Sequence, residues 1–302
     1  MTVSSETLAA FRLELEGIAQ VDDPKYVEAR SKDYYWYSPI LSELLDRHVG
    51  QVLLQPRDET EVIRIAAAAA RHRVPLTVRG GGTGNYGQCV PMEGGAILEI
   101  TKLDRVLDIV PGRVVCEAGA RMGRVEEAVA GTGQMLSMFP STKRLATMGG
   151  FIAGGSGGIG SLRHGMLRDG GNVGYLRIVT VEETPQVVEL RGPEILKAQH
   201  AYGTNGIITA LDYSLVPLTD WRHTIALFDG YDKALAFAKE AQEEGVDAYL
   251  MTVVEGRFAR FYRKLAKHFP EGKDAVFAMI APSAREDFAA RVALWEGPSR
   301  ST

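Results

Sequence analysis

The chain has 302 residues, 45% of them hydrophobic and 24% charged, which suffices for a large buried core and about two domains. Its formal net charge of −4, with no cluster of Lys and Arg on one segment, excludes nucleic acid or an anionic membrane as the main partner. Cys89 and Cys116 are too few for a secreted disulfide framework and have no metal-ligand spacing, no apolar run approaches the ~18 residues of a membrane span, and acids stand where a signal peptide would be basic, so a cytoplasmic protein is expected.

Leu8, Phe11, Leu15 and Ile18 recur at helical spacing and predict a helix over 5–19. Residues 31–41, SKDYYWYSPIL, gather Tyr34, Tyr35, Trp36 and Tyr37 before Pro39. Such a run covers the body of a domain, with a stacking platform for an aromatic ligand as the alternative. A strand over 51–55 closes at Pro56, and Asp58 with Glu61 starts a helix that runs to about His72. A second strand, 74–78, then stops at RGGGTGNYGQ, residues 79–88, so that the strand, helix and strand form a βαβ unit whose output is a glycine nest.

Gly80, Gly81, Gly82 and Gly84 permit positive φ and let successive backbone N–H groups converge on an anion. Arg79 is expected to add a cation, and Thr83 and Asn85 neutral hydrogen-bonding groups, a set suited to a pyrophosphate. A Walker loop is excluded, because Tyr86 and Gly87 stand where Lys and Ser or Thr are needed. A Rossmann turn is excluded too, because Gly87, Pro91, Gly94 and Gly95 prevent a following helix.

Further along, residues 95–101 read as a strand, 106–110 and 113–118 as a hairpin across Pro111-Gly112, and 121–130 as a helix. Residues 139–160, FPSTKRLATMGGFIAGGSGGIG, carry seven glycines in twelve positions. The G-x-G-x-x-G match at 155–160 lacks a strand before it and a helix after it, so close approach to a flat or phosphorylated ligand explains the glycines better than a dinucleotide turn. A hairpin over 175–191, a short helix over 193–200 and a strand over 206–216 bring one domain to an end near Pro217. Beyond it, strands at 224–228, 248–255 and 275–281 alternate with helices at 231–244, 257–268 and 284–295, as in a ferredoxin-like α+β domain.

Taken together, RGGGTGNYG, GGAILEITKLDRV, EAGARM, PSTKRLATMGGFIAGGSGG, HGMLRD and YGTNGIIT resemble the FAD-binding domain of the vanillyl-alcohol oxidase and p-cresol methylhydroxylase (PCMH) family. The resemblance implies an α+β chain: an N-terminal helix and aromatic segment (1–37), a two-lobed PCMH-type FAD-binding domain (38–217), and a partial ferredoxin-like cap or substrate domain (218–302). It implies that the pyrophosphate lies on Arg79 to Asn85, that Pro140 and Ser141 belong to the site, that Thr147, Gly149, Gly150, Ala153, Gly154 and Gly157 follow the pyrophosphate and flavin ring, and that the backbone at Ile207 and Ile208 meets the adenine end. Members that tether the flavin carry His where Thr83 stands, or Cys in the loop around 140–142, so FAD is expected to be non-covalent.

Such a resemblance also implies an oxidase or dehydrogenase that takes a hydride from a small hydroxy-bearing substrate onto flavin N5 and passes electrons to oxygen, a quinone or a protein. No residue identifies itself as the base; His164, His200 and Tyr202 are candidates, and Arg222, Arg257, Arg260 or Arg263 could meet a carboxylate. The family's usual length exceeds 400 residues, and this chain lacks its His-rich metal motif. A truncated chain, a short member, or a subunit whose substrate site a partner completes are therefore all open. Reductases of the UDP-N-acetylenolpyruvoylglucosamine type share the fold and length but not the loop after the second glycine motif, and the FAD subunits of molybdenum hydroxylases have a shorter glycine signature.

Overall fold

The structure is a computed structural model; it describes residues 3–296 apart from positions 156, 263, 264 and 269, with the backbone alone at 259, 260, 266 and 296. The chain forms two compact units, one of residues up to 158 together with 166–217, the other of 159–165 together with the chain from 218 on.

In the first unit, α1 (Ser5–Glu14), β1 (Ala19–Val21), α2 (Pro24–Arg30), a 3-10 turn (Tyr34–Tyr37) and α3 (Pro39–Leu45) precede the parallel core. That core is β2 (Val52–Gln55), α4 (Glu59–His72), β3 (Leu76–Arg79) and β4 (Ala96–Glu99), in a sheet of order β1-β2-β4-β3. The expected βαβ unit is thus opened by a third strand, since β4 lies between β2 and β3 and pairs with both in parallel. Val52, Leu53, Leu54, Ala96, Ile97 and Leu98 are fully buried, as a parallel strand covered on both faces requires. The Asp58 carboxylate accepts the Glu61 N–H at 2.9 Å while Glu61 accepts the Arg57 N–H at 2.8 Å, which closes the start of α4.

A second sheet forms the other lobe, with β5 (Val106–Val110), β6 (Arg113–Glu117), β10 (Ile207–Pro217), β8 (Val173–Val179) and β9 (Val187–Arg191) in that order and β7 (Gln134–Leu136) pairing with β10. Between β6 and β8 lie α5 (Met122–Ala130) and α6 (Met148–Gly154). Arg177 on β8 makes a two-pronged ion pair with Glu59 at 2.8 and 2.9 Å, and the Thr209 hydroxyl on β10 donates to the same carboxylate at 2.7 Å, which ties the lobes together.

The second unit holds α7 (Ser161–His164) and the sequence β11 (Arg222–Phe228), α8 (Tyr231–Glu243), β12 (Ala248–Val254), β13 (Asp274–Ile280) and α9 (Arg285–Glu296). Its antiparallel sheet has the order β11-β13-β12, the arrangement of three of the four strands in a ferredoxin-like unit. Phe237 on α8 packs on Phe228 and Phe288, with ring centroids 5.0 and 5.5 Å away, and fixes both helices on one face. The helix expected over 257–268 is replaced by two 3-10 turns, Gly256–Phe261 and Ala266–His268. Ile225, Leu227, Val254, Ala275 and Phe277 form an apolar cluster on the sheet, Tyr262 packs edge to face on Phe277 with ring centroids 5.4 Å apart, and the N–H of Gly256 is held by Asp274 at 2.6 Å, so local helical spacing yields to tertiary contacts.

Candidate functional site

A cavity of about 310 Å³ opens in the first unit where β3 ends. Of the residues singled out from the sequence, Gly80, Gly81, Gly82, Thr83, Gly84, Asn85, Pro140, Thr147, Gly149, Gly150, Ala153, Gly154 and Ile208 line it. Arg79, Ser141, Gly157 and Ile207 do not. Ser141 is exposed, and the Ile207 side chain is fully buried inside β10.

The two glycine stretches meet because neither has side chains in the way. A Cβ on Gly80 would collide with the Thr147 hydroxyl, one on Gly81 with the Leu145 carbonyl oxygen, and one on Gly149 would stand 2.6 Å from Ala118 Cβ. Thr142 bridges the same gap, its hydroxyl 3.2 Å from that of Thr83. The second stretch holds an element that its glycine content concealed: Thr147 caps α6, accepting the Gly150 N–H at 3.2 Å, and Met148, Phe151 and Ile152 bury its apolar face.

Arg79 corrects the expectation of a phosphate-binding cation. Its side chain is 5% exposed and turns back beneath the loop, where one Nη donates to the carbonyls of Arg30 at 2.9 Å and Lys32 at 2.7 Å and lies 3.2 Å from Cys89 Sγ. Gly82, at φ +62°, is glycine because a Cβ would overlap that guanidinium. Asp33 completes the arrangement. Its carboxylate accepts the N–H groups of Tyr35, Gly87 and Gln88 at 2.8, 3.0 and 3.0 Å, and the Tyr34 N–H donates to Gly84 at 2.7 Å. Burial pushes the Asp33 carboxyl up, against the pull of its three backbone donors and Arg79. The aromatic run thus acts as a clasp: Tyr35 is buried with its hydroxyl 2.7 Å from Asp46, while Trp36 and Tyr37 stack on one another at the surface.

Whether this cavity suits a dinucleotide can be tested on its donors. Among the described residues, the backbone N–H groups of Gly82, Thr83 and Asn85 meet no protein acceptor, and no Lys or Arg lines the cavity. Orphan amides on a glycine loop fit an anion held by backbone dipoles rather than by side-chain charge. A Cβ on Gly154 would meet no protein atom within 4 Å, so protein packing does not demand its absence. Cys89 also lines the cavity, but burial pushes its thiol up to about 11.

The candidate bases part company. His200 and Tyr202 line the cavity, whereas His164 belongs to the second unit, with its ring edge against Tyr249, and burial lowers its pKa. Arg222 pairs with Asp220 at 2.6 Å and Arg257 with Glu255. The side chain of Arg260, and Arg263 altogether, lie outside the described residues. Among the described residues, no group of three or more His, Cys, Asp or Glu could hold a metal ion, and no helix is long and apolar enough to cross a membrane.

Fold and site define a two-lobed flavin-nucleotide domain followed by an α+β unit. Residues 50–189 match the model of the FAD binding domain family, so the chain carries a PCMH-type FAD-binding domain and FAD is its cofactor. It is similar to the glycolate oxidase subunit GlcD of Bacillus subtilis (29% identical over 60% of this chain and 40% of that protein). A D-lactate dehydrogenase of Archaeoglobus fulgidus (29%, over 59% and 38%) and the mitochondrial D-2-hydroxyglutarate dehydrogenase of Rattus norvegicus (29%, over 61% and 32%) are similar to it as well. The alignments thus span 40% or less of each of these relatives. In fold it is similar to an alkyldihydroxyacetonephosphate synthase, with a TM-score of 0.79 at 17% identity over 95% of this chain and 59% of that one.

Proposed function

We propose that this chain is an FAD-dependent oxidoreductase that oxidises a CH–OH donor of the 2-hydroxy-acid class. The observation that carries the reading is the facing pair of glycine stretches, with orphan amides at Gly82, Thr83 and Asn85, inside a domain of the FAD-binding family. Those amides would hold the pyrophosphate, and the backbone of Gly149 to Gly154 would follow the rest of the cofactor, bound without a covalent tether because Thr83 offers no imidazole. Bound FAD supplies the hydride acceptor that no amino-acid side chain provides. The protein's part is to bind and orient the donor, shield it from water and remove the hydroxyl proton. Support for the substrate class comes from three relatives named for glycolate, D-lactate and D-2-hydroxyglutarate. One of them is named as a subunit, which favours a second reading in which a partner completes the substrate site.

The test is anaerobic bleaching of the flavin absorbance of the purified FAD-loaded protein by glycolate, D-lactate and D-2-hydroxyglutarate. Bleaching by a 2-hydroxy acid is expected. A loaded protein that none of them bleaches alone, but one of them bleaches once a partner chain is added, replaces the first reading with the second; bleaching by none in either case refutes both.

A further inference from the structure

The segment leading into β10 returns to the cavity in a conformation its backbone would not choose unaided. His200 and Tyr202 have φ of +56° and +52°, in the left-handed region, and the other described non-glycine residue there is Arg73, at the end of α4. Such a conformation persists only where surrounding structure imposes it. Here the end of α6 does so: the His200 N–H donates to the Ile152 carbonyl at 3.2 Å and the Tyr202 N–H to the Ala153 carbonyl at 3.0 Å. Gly155, itself at φ +64°, faces residue 200 so closely that a Cβ would overlap the His200 side chain. Core packing does not account for this arrangement, because both side chains are exposed, Tyr202 by 42%. They are instead paired with each other, imidazole Nε2 3.0 Å from the phenol oxygen and the rings edge to face at 5.3 Å, on the wall of the cavity beside Gly203 and Ile208.

We propose that the His200–Tyr202 pair is a recognition element for the dinucleotide, a hydrogen-bonding and aromatic bracket that engages one of its two heteroaromatic rings. An imidazole and a phenol held together present a donor, an acceptor and a flat apolar edge, which matches a purine or an isoalloxazine and not a phosphate. Exposed side chains fixed by a strained backbone at a ligand cavity are placed for the ligand. The inference rests on the cofactor placement proposed above and adds two residues to it.

The experiment is calorimetric titration of the full-length apoprotein with FAD, ADP and FMN, together with its thermal midpoint, for the wild type, His200→Gly and Tyr202→Phe. Both variants are expected to bind FAD about tenfold more weakly, the loss of roughly one ligand hydrogen bond. Only one half-molecule should weaken with FAD: ADP if the bracketed ring is adenine, FMN if it is the isoalloxazine. Glycine takes positive φ freely, so His200→Gly should raise the thermal midpoint while it lowers affinity. Unchanged FAD affinity, equal losses for ADP and FMN, or a midpoint that falls together with affinity would each overturn the proposal. Should neither half-molecule bind the wild type, FAD affinity set against the midpoint decides. A wild-type apoprotein that takes up no FAD refutes the placement of the cofactor itself.

Discussion

Replacing Arg79 separates two roles that a cation beside a glycine loop can have. In the structure the guanidinium joins the loop to the N-terminal segment, through the Arg30 and Lys32 carbonyls at 2.9 and 2.7 Å, and lies beneath Gly82 rather than in the cavity. Arg79→Met keeps a long apolar stem and removes both bonds. At about 1.5–2 kcal/mol for each hydrogen bond from a charged donor, the first unit should lose about 3–4 kcal/mol. Arg79→Lys keeps the charge but cannot reproduce the forked geometry, so it should recover little of that loss. Urea denaturation followed by tryptophan fluorescence can read this, because Trp36, alone of the three tryptophans, lies in the first unit, two residues from the Tyr34 N–H that clasps Gly84. FAD retention should fall in proportion to the population in which the clasp has opened. Wild-type stability in Arg79→Met combined with lost FAD affinity, restored by Arg79→Lys, would refute the reasoning and return Arg79 to the phosphate.

Three other outcomes follow from the same geometry. Gly82→Val forces a β-branched residue to φ +62° and onto the Arg79 guanidinium, so the purified variant should carry almost no flavin while the second unit stays folded; an unchanged ratio of flavin to protein absorbance would be the contrary result. Burial raises the Glu59 carboxyl, but the Arg177 and Thr209 hydrogen bonds and the Arg177 charge bring it below its ordinary 4.5; the depressed value means that its stabilisation is complete above pH 4.5 and is lost as pH falls through the folded-state value. Glu59→Gln should therefore cost roughly 1–2 kcal/mol at neutral pH and flatten the acid limb of the stability curve below pH 4.5, which denaturant titrations across pH will measure. With their thiols pushed up to about 11 and about 12 by burial, Cys89 and Cys116 should both resist a thiol reagent at pH 8 in the native protein and both react once it is unfolded; fast labelling of Cys89 would mean that the loop opens.

The sequence made the parallel core, both hairpins and the two glycine stretches legible, because each rests on local chemistry: apolar runs, a capping box, glycines at turns. What it did not disclose depends on partners far along the chain. Asp33 stands before the aromatic run with no sequence signal of its own, and nothing nearby indicates that it meets Gly87 and Gln88, 54 and 55 residues away. Arg79 stands at a strand end before four glycines, a position that suggests an outward cation, and only the fold reveals the carbonyls of Arg30 and Lys32 behind it. Helix α6 was hidden by glycine propensity, which the Thr147 cap and the burial of Met148, Phe151 and Ile152 override.

These particulars change why the glycines are there. Four of them, Gly80, Gly81, Gly82 and Gly149, are required by protein atoms, namely Thr147, Leu145, Arg79 and Ala118, before any ligand is considered. The loop can lie this close to α6 and the N-terminal segment only without side chains, and that closeness turns the amides of Gly82, Thr83 and Asn85 toward no protein acceptor. An anion held there would owe its donors to backbone packed against backbone, with no Lys or Arg in the cavity wall. It follows that changes at Arg79 beneath the loop, or at Asp33 where its carboxylate holds the Gly87 and Gln88 N–H groups, should disturb cofactor retention as strongly as changes at the loop glycines, although neither side chain need touch the cofactor's phosphates.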